Sequence, residues 1–253
     1  MRVAIITGAS SGLGLAFAQE LDQRGEADEI WAVARRADRL AVLQKHLRTP
    51  VVPLLLDLAD PASVEKIKER LAREKPRVTA LVNAAGFGKF GRWDDLSAAE
   101  VDGMLDVNVR ALVHLTVAAL PYMGEGSRLL EMASCAAFQP LPDMNVYAAT
   151  KAFVLHYTRA LRRELRGSGI KVTAVCPGWV QTEFMSVAVD TRNGGAVKRF
   201  ILPGKPRTVA RRALAANSAN LAVATCAPHS FLQRVGAKIA PAWLAMECWK
   251  LLH

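Results

Sequence analysis

Thr7-Gly8-Ala9-Ser10-Ser11-Gly12-Leu13-Gly14 directly follows the first apolar run of the chain, residues 3–6. Its three glycines allow a sharp turn, and they let backbone N–H groups approach a phosphate at the start of the next helix. The spacing differs from the G-x-G-x-x-G of the usual dinucleotide fingerprint, so a purely structural strand-to-helix turn is the alternative. The location between a strand and a helix favours a pyrophosphate-binding turn.

Apolar runs alternate with amphipathic stretches over most of the chain. The runs lack strict alternation, as expected for parallel strands that helices cover on both faces. The predicted strands are residues 3–6, 30–34, 51–56, 80–83, 128–132, 171–176 and 221–225, and the predicted helices are residues 13–24, 61–74, 98–122 and 146–166. This order predicts an α/β fold with one doubly wound parallel sheet of about seven strands (a Rossmann fold), in a single domain over residues 1–253. Ligands of such sheets bind beyond the carboxyl ends of the strands.

The end of the second predicted strand bears on the choice of dinucleotide. An NAD site usually places a carboxylate here, but residues 30–37 contain none, and Asp38 is predicted to lie inside the next helix. Arg35 and Arg36 instead offer several donors to a ribose 2′-phosphate. A solvated arginine pair is the alternative. The position of the pair at the end of the second strand favours NADP(H) over NAD(H) as the cofactor.

Two further strand ends suit the same nucleotide. Asp57, followed by Leu58, comes after an apolar strand and is predicted to accept from the adenine amino group. Its alternative role is in the N-cap region of the helix that begins near Pro61. Asn83-Ala84-Ala85-Gly86 ends the fourth strand with small residues, which let the backbone approach the adenine-side ribose. A tight packed turn is the alternative for this run.

Ser134, Tyr147 and Lys151 form the predicted reacting group. Ser134 directly follows the fifth strand, and Tyr147 and Lys151 lie four residues apart on one face of a predicted helix. A nearby ammonium, together with the positive charge of an oxidised nicotinamide, favours the phenolate and is expected to lower the tyrosine pKa. A phenol tuned in this way suits proton transfer at a carbonyl oxygen, which the serine hydroxyl can also hydrogen-bond.

In order and spacing, these motifs resemble the short-chain dehydrogenase/reductase family from Val3 to about Thr182. The motifs that carry the resemblance are Thr7–Gly14, Asn83-Ala84-Ala85-Gly86, Asn108, Ser134, Tyr147 with Lys151, and Pro177-Gly178 with Thr182. The resemblance implies that Tyr147 is the acid in reduction and the base in oxidation, and that Ser134 orients the substrate oxygen. It also implies that Lys151 contacts the nicotinamide ribose, and that Asn108 holds a water linking Lys151 to solvent. Without the resemblance, Asn108 would be interpreted as an amide that caps or packs a long helix.

The resemblance places the segment from Pro177 to Thr182 against the carboxamide side of the nicotinamide. The predicted cofactor contacts are Gly8, Ser10, Ser11, Gly12, Leu13, Gly14, Arg35, Arg36, Asp57, Leu58, Asn83, Ala84, Gly86, Tyr147, Lys151, Pro177, Gly178, Val180 and Thr182. Two departures from the family pattern are small: Ala84 stands where many members have a second asparagine, and Cys135 lies beside Ser134.

Residues 183–206 follow this segment and are predicted to form a lid over the substrate. The predicted substrate contacts are Ser134, Phe138, Met144, Tyr147, Phe184 and Met185. These residues favour a medium or bulky hydrophobic ketone, aldehyde, steroid or acyl chain over a small acid, with Lys198 and Arg199 left open as partners of a carboxylate. A catalytically silent NADP(H)-binding regulatory or scaffold protein is the rival interpretation.

Composition excludes several other classes. The four cysteines (Cys135, Cys176, Cys226 and Cys248) are scattered, which favours buried thiols in a reducing cytoplasm over disulfides or a metal site. The formal charge of +10 is spread over many segments without a nucleic-acid module, so an anionic small molecule is the expected partner. We expect no signal peptide and no run of roughly 20 apolar residues that would span a membrane.

The tail, residues 231–253, is apolar and interrupted by Pro241. Three interpretations stay open: packing on the domain or on a second subunit, capping of the substrate site, or weak contact with a membrane surface helped by Arg234, Lys238 and Lys250. By resemblance only, we expect a homodimer or homotetramer.

Overall fold

A computed structural model describes residues 1–192, 197 and 199–252. Seven parallel strands form one sheet in the order β3-β2-β1-β4-β5-β6-β7. The strands are β1 (Arg2–Thr7), β2 (Glu29–Ala34), β3 (Val51–Leu55), β4 (Arg77–Asn83), β5 (Arg128–Met132), β6 (Lys171–Val175) and β7 (Val223–Ala224). The predicted doubly wound parallel sheet is therefore confirmed.

Helices cover both faces of this sheet. They are α1 (Gly12–Arg24), α2 (Ala37–His46), α3 (Pro61–Glu74), α4 (Ala98–Leu105), α5 (Leu112–Ala119), α6 (Asn145–Glu164), α7 (Phe184–Val189), α8 (Pro206–Ser218), α9 (Pro228–Ile239) and α10 (Ala242–Leu252). The order of the strands reverses between β1 and β4, and this switch opens a crevice at their carboxyl ends.

The core explains why the strands are apolar without alternation. Ala4 and Ile6 of β1 pack on one face of the sheet with α1, α2 and α8. Val3 and Ile5 pack on the opposite face with α3, α5 and α6. Because both faces are buried, every position of such a strand selects an apolar residue.

The predicted helix over residues 98–122 differs from the structure in two respects. Asp106–Ala111 form a π-helical turn between α4 and α5, and a short 3₁₀ turn, Leu120–Tyr122, ends the run. A π turn adds one residue to the helical repeat and re-aims the side chains beyond it. Asn108 lies within this turn and is fully buried.

The same run is more apolar than we expected, since the sequence analysis predicted no stretch that would span a membrane. Residues 98–122 are helical over 25 residues and, by length and composition alone, are sufficient to cross a membrane. In the fold, however, Met104, Ala111 and Leu115 are buried among the core residues, and Leu115 and Ala111 pack against the sheet. The run is therefore part of the folded core.

The predicted lid lies only partly within the described residues. Its first part is α7, and its last residues, 199–206, lead into α8. Residues 193–196 and Lys198 lie outside the described residues, as does His253.

Candidate active site

The glycine-rich turn lies at the carboxyl end of β1, as predicted. Gly8 and Gly12 have positive φ values of 68° and 54°, a region of backbone conformation that favours glycine. A Cβ atom on Gly14 would lie 2.2 Å from the backbone oxygen of Gly8, so any side chain there would push the bend and α1 apart. Ser11 caps α1 without a side-chain hydrogen bond, which leaves the first N–H groups of the helix available to an anion.

Arg36 lies beside this turn. Its Nε and Nη2 atoms are 3.4 and 3.3 Å from the Ser10 hydroxyl, and its Nη1 atom donates to Glu183 Oε2 at 2.8 Å. Arg35 is more exposed and pairs with Asp57 across 3.7 Å. Both arginines line the crevice, so the two guanidiniums are close to where the sequence placed a ribose phosphate.

The two acids after β3 have separate roles. Asp60 is the N-cap of α3 and accepts from the Ala62 amide at 3.0 Å. Asp57 accepts from the Ala59 amide and faces the crevice together with Leu58. The capping role considered for Asp57 therefore belongs to Asp60, and the contact of Asp57 with an adenine amino group stays a prediction.

Asn83, which we predicted among the cofactor contacts, does not line the crevice, and its side chain lies beneath it. Asn83 is buried, and its Nδ2 atom lies 2.9 Å from Thr116 Oγ1 and 3.1 Å from Glu131 Oε2. Burial raises the pKa of the Glu131 carboxyl to about 7, against the opposing hydrogen bonds from Thr116 and Asn83. Asn83 is thus part of a buried polar cluster beneath the crevice, and only the neighbouring Ala84, Ala85 and Gly86 line it.

Ser134, Tyr147 and Lys151 converge on the same crevice from two elements. Ser134 lies just beyond the end of β5, and Tyr147 and Lys151 occupy successive turns of α6. The ammonium nitrogen of Lys151 is 5.8 Å from the centroid of the Tyr147 ring and donates to the Met132 carbonyl at 2.8 Å. The Ser134 side chain hydrogen-bonds Tyr147. The phenol and the ammonium therefore point into one site.

In the protein without cofactor, burial shifts the pKa values of both Tyr147 and Lys151. Burial raises the pKa of the Tyr147 phenol to about 12, and the hydrogen bond with Ser134 only partly opposes this. Burial also lowers the pKa of the Lys151 ammonium to about 8. Desolvation disfavours both charged forms, so these side chains by themselves do not lower the tyrosine pKa. The lowering that we predicted for Tyr147 included the positive charge of an oxidised nicotinamide, so it stays a prediction.

Asn108 connects two elements beside the crevice through its side-chain amide. Its amide accepts from the Phe87 N–H at 3.1 Å, and it donates to the Phe87 carbonyl at 2.8 Å and to Thr150 Oγ1 at 3.1 Å. Both amide hydrogens are engaged, so Asn108 ties the loop after β4 to α6, next to Lys151. This agrees with the packing role considered from the sequence, and the water held by Asn108 stays a prediction.

Aromatic side chains form one wall of the crevice. Phe90 is fully buried and meets Tyr147, Trp179 and Phe184 edge-on, with ring centroids 5.6, 6.0 and 6.1 Å apart. Phe184, Met185 and Met144 line the crevice as predicted positions for a substrate, whereas Phe138 does not. Phe138 ends a 3₁₀ turn and packs into a separate core cluster with Leu112 and Val154, because that turn directs it away from the cavity.

Trp179, which lines the crevice, was missed from the sequence, as was Phe90, which packs behind it. Trp179 lies inside the segment predicted to contact the nicotinamide, and its aromatic character is a usable signal for a substrate wall. Phe90 belongs to the loop after β4, in the run Gly86-Phe87-Gly88-Lys89-Phe90. The rule that ligands bind beyond the carboxyl ends of strands would have pointed to this loop.

The C-terminal helices close the far side of the crevice. The residues of α9 and α10 that line it are His229, Gln233, Gly236, Ala237, Leu244, Ala245, Cys248 and Trp249. Trp249 is buried and donates from Nε1 to the Pro142 carbonyl at 3.1 Å. The centroid of its ring lies 6.3 Å from that of the Trp179 ring. The tail therefore both packs on the domain and caps the cavity, which are two of the three interpretations considered above.

The outer side of the same two helices is apolar and exposed. Phe231, Leu232, Val235, Ile239 and Trp243 are between 38% and 79% exposed. A second subunit and a membrane surface stay open as partners of this side, and measurements of solution mass and of vesicle co-sedimentation distinguish them.

The whole crevice has a volume of about 1040 Å³ and extends from the glycine turn to the aromatic wall. A dinucleotide fits the residues present. Gly86 must lack a side chain, because a Cβ there would lie 2.7 Å from Asn108 Oδ1 and 3.3 Å from Lys151 Nζ. The glycine turn and the start of α1 would hold a pyrophosphate, Asp57 an adenine, Arg36 a ribose phosphate, and Pro177, Gly178, Val180 and Thr182 the nicotinamide end.

Comparisons with known proteins agree with this geometry. A family model described as short chain dehydrogenase matches residues 2–193. Sulfoacetaldehyde reductase 2 of Chromohalobacter salexigens is 37% identical over 202 residues, which cover 76% of this chain and 77% of that protein.

Two solved structures share the fold. A short-chain dehydrogenase from Sphingobium yanoikuyae in complex with NADPH superposes with a TM-score of 0.80 at 29% identity, and the match covers 94% of each chain. A short chain dehydrogenase/reductase from Burkholderia phymatum in complex with NAD has a TM-score of 0.82 at 25% identity, with 92% of each chain covered.

Proposed function

Because the chain belongs to the short-chain dehydrogenase/reductase family of oxidoreductases, we propose that it is an NADP(H)-dependent enzyme that interconverts a carbonyl compound and an alcohol by hydride transfer. One observation carries the proposal. Ser134, Tyr147 and Lys151 face the same crevice as the phosphate-binding glycine turn, so a carbonyl beside Tyr147 would also lie beside the reactive end of a bound dinucleotide.

A bound NADP(H) would supply or accept the hydride, and an oxidised nicotinamide would add positive charge beside the Tyr147 phenol. Tyr147 donates a proton to the developing alkoxide in reduction and takes it back in oxidation. Ser134 hydrogen-bonds the same oxygen and holds it within reach of the phenol. Lys151, anchored to the Met132 carbonyl, is placed to bind a ribose hydroxyl and to add positive charge beside Tyr147.

NADP(H) is the proposed cofactor because the end of β2 presents cations where an NAD site presents an acid. Arg36 is fixed beside Ser10, and Arg35 lies on the adenine side near Asp57. The relative from Sphingobium yanoikuyae binds NADPH, whereas the relative from Burkholderia phymatum binds NAD, so family membership alone does not decide between them.

The proposed substrate is a medium or bulky hydrophobic ketone, aldehyde or hydroxysteroid. Phe184, Trp179 and Trp249 line the space beside Tyr147, and the buried Phe90 packs behind them. Lys89 also lines the crevice, but its ammonium binds the Asp190 carbonyl and lies 3.5 Å from both the Asp190 and Glu100 carboxylates. A cation already held by two acids is a poor partner for an acidic substrate, although one relative is named for an aldehyde that carries a sulfonate.

The test is a panel of apolar ketones, aldehydes and hydroxysteroids, assayed with NADPH and NADH in parallel. We expect oxidation of NADPH with at least one class of carbonyl, and a preference for NADPH over NADH. In Tyr147→Phe we expect turnover to fall by about 10²–10⁴-fold with NADPH binding retained, because only the proton donor is lost.

Tyr157→Phe is the matched control. Tyr157 lies on the same helix, but its hydroxyl is buried outside the crevice and has no hydrogen-bond partner among the described residues, so its loss should leave turnover unchanged. Tight binding of NADPH without turnover of any compound would favour the rival, a regulatory or scaffold protein. Wild-type rates in Tyr147→Phe would remove the proposed role of the phenol.

A further inference from the structure

Glu183 is bound to Arg36, the residue proposed above to hold the ribose 2′-phosphate. We infer that Glu183 holds, in the free protein, the position at Arg36 that a ribose 2′-phosphate takes, and that it thereby limits how strongly the enzyme prefers NADP(H) over NAD(H). This inference rests on the proposed function, and it assigns a specificity-determining role to a residue that the sequence analysis placed only at the start of the lid.

The geometry is that of a carboxylate between two guanidiniums. Glu183 Oε2 accepts from Arg36 Nη1 at 2.8 Å, and Glu183 Oε1 accepts from Arg39 Nη2 at 3.4 Å. The hydrogen bond from Arg36 lowers the pKa of the Glu183 carboxyl, so this group is charged at neutral pH. Ser10, on the phosphate turn, is the other partner of Arg36.

The location of Glu183 connects the two halves of the site. It directly follows Thr182, whose side chain lies near Gly12 of the phosphate turn, and it directly precedes Phe184 on α7. Phe184 in turn lies 5.5 Å, between ring centroids, from Tyr147. The negative charge of Glu183 therefore lies close to the end of the crevice where the adenosine part of the cofactor would bind.

A phosphate and a carboxylate cannot both use the same face of Arg36. A bound NADP(H) must displace Glu183 and leave its negative charge close to the incoming phosphate, which repels it. NAD(H) lacks this phosphate and leaves the ion pairs intact. Glu183 therefore weakens the binding of NADP(H) and has little effect on NAD(H).

Binding measurements on the full chain test the inference with four probes: NADPH, NADH, 2′,5′-ADP and 5′-AMP. For Glu183→Gln we expect NADPH and 2′,5′-ADP to bind about two- to fivefold more tightly, as befits loss of half-exposed ion pairs. NADH and 5′-AMP should bind as they do to the wild type. The gain should shrink as salt is raised, because exposed charges are screened.

Glu65→Gln is the matched control, because it makes the same change in net charge on α3, outside the crevice, and should leave all four affinities unchanged. Unchanged or weaker binding of NADPH to Glu183→Gln would overturn the inference, since Glu183 would then be neutral or would hold Arg36 ready for the phosphate. A wild type that binds NADH as well as NADPH would instead contradict the proposed cofactor preference, so the two failures are distinguishable.

Discussion

Lys151→Met should stabilise the cofactor-free protein at neutral pH while abolishing its activity. Lys151 is 3% exposed, and burial lowers the pKa of its ammonium from 10.5 to about 8. The folded state therefore binds this proton less tightly than the unfolded chain does, and the difference costs about 3 kcal/mol of stability at pH 7. The variant also loses the hydrogen bond to the Met132 carbonyl, which destabilises it by about 1 kcal/mol. The net expected gain in the free energy of unfolding is therefore about 2 kcal/mol.

The sign of the pH dependence follows from the direction of the shift. The folded pKa of Lys151 is depressed, so the cost is fully present below about pH 8 and is relieved as the pH rises toward the unfolded value of 10.5. The difference in stability between variant and wild type should fall from about 2 kcal/mol at pH 7 to about 1 kcal/mol at pH 9. Comparing the two proteins at each pH cancels the contributions of groups that do not interact with Lys151. Glu131 does interact with it, and loss of the ammonium raises the pKa of this buried carboxyl further, which also lowers the stability of the variant as the pH rises.

Reversible urea unfolding, followed by circular dichroism at pH 7, 8 and 9, measures this difference. Lys68→Met is the control, because Lys68 is exposed and its substitution should give no pH-dependent difference. A less stable Lys151→Met at pH 7, or a difference that does not change with pH, would refute the view that a buried ammonium is held here at a cost to folding.

Two further predictions concern the two ends of the crevice. Gly14→Ala should lose detectable binding of NADPH in a fluorescence titration, since its Cβ would lie 2.2 Å from a backbone oxygen of the glycine turn, whereas Gly124→Ala, in open space, should bind normally. Trp249→Ala should raise the KM for bulky apolar carbonyl compounds several-fold more than Trp243→Ala does. The reason is that Trp249 is buried against the cavity, whereas Trp243 is 63% exposed. Equal KM values in the two variants would exclude α10 from the substrate site.

Local sequence was sufficient for most of the strands and for the phosphate turn. A parallel strand buried on both faces is a continuous apolar run, and a bend such as Thr7–Gly14 needs glycine wherever φ is positive. The end strand β7 is shorter than its apolar run, since it pairs only with β6. The π turn around Asn108 adds one residue to a helix whose composition carries no sign of it.

The errors in the site come from contacts between segments distant in the chain. Asn83 was grouped with the small residues after β4, but its side chain bonds Thr116 and Glu131 and does not line the crevice. Phe138 follows Ser134 closely, yet a 3₁₀ turn directs it into another cluster. The pKa of Tyr147 depends on how deeply the phenol is buried, and its spacing of four residues from Lys151 carries no information on burial.

Isotope transfer tests the central claim most directly. The wild type would be incubated with NADPH that carries deuterium on either face of nicotinamide C4, together with the apolar carbonyl that it turns over best. The account predicts that the alcohol gains one deuterium at the former carbonyl carbon from one face of the cofactor, and that Tyr147→Phe yields almost none. An alcohol formed without deuterium from either face would contradict hydride transfer in this crevice.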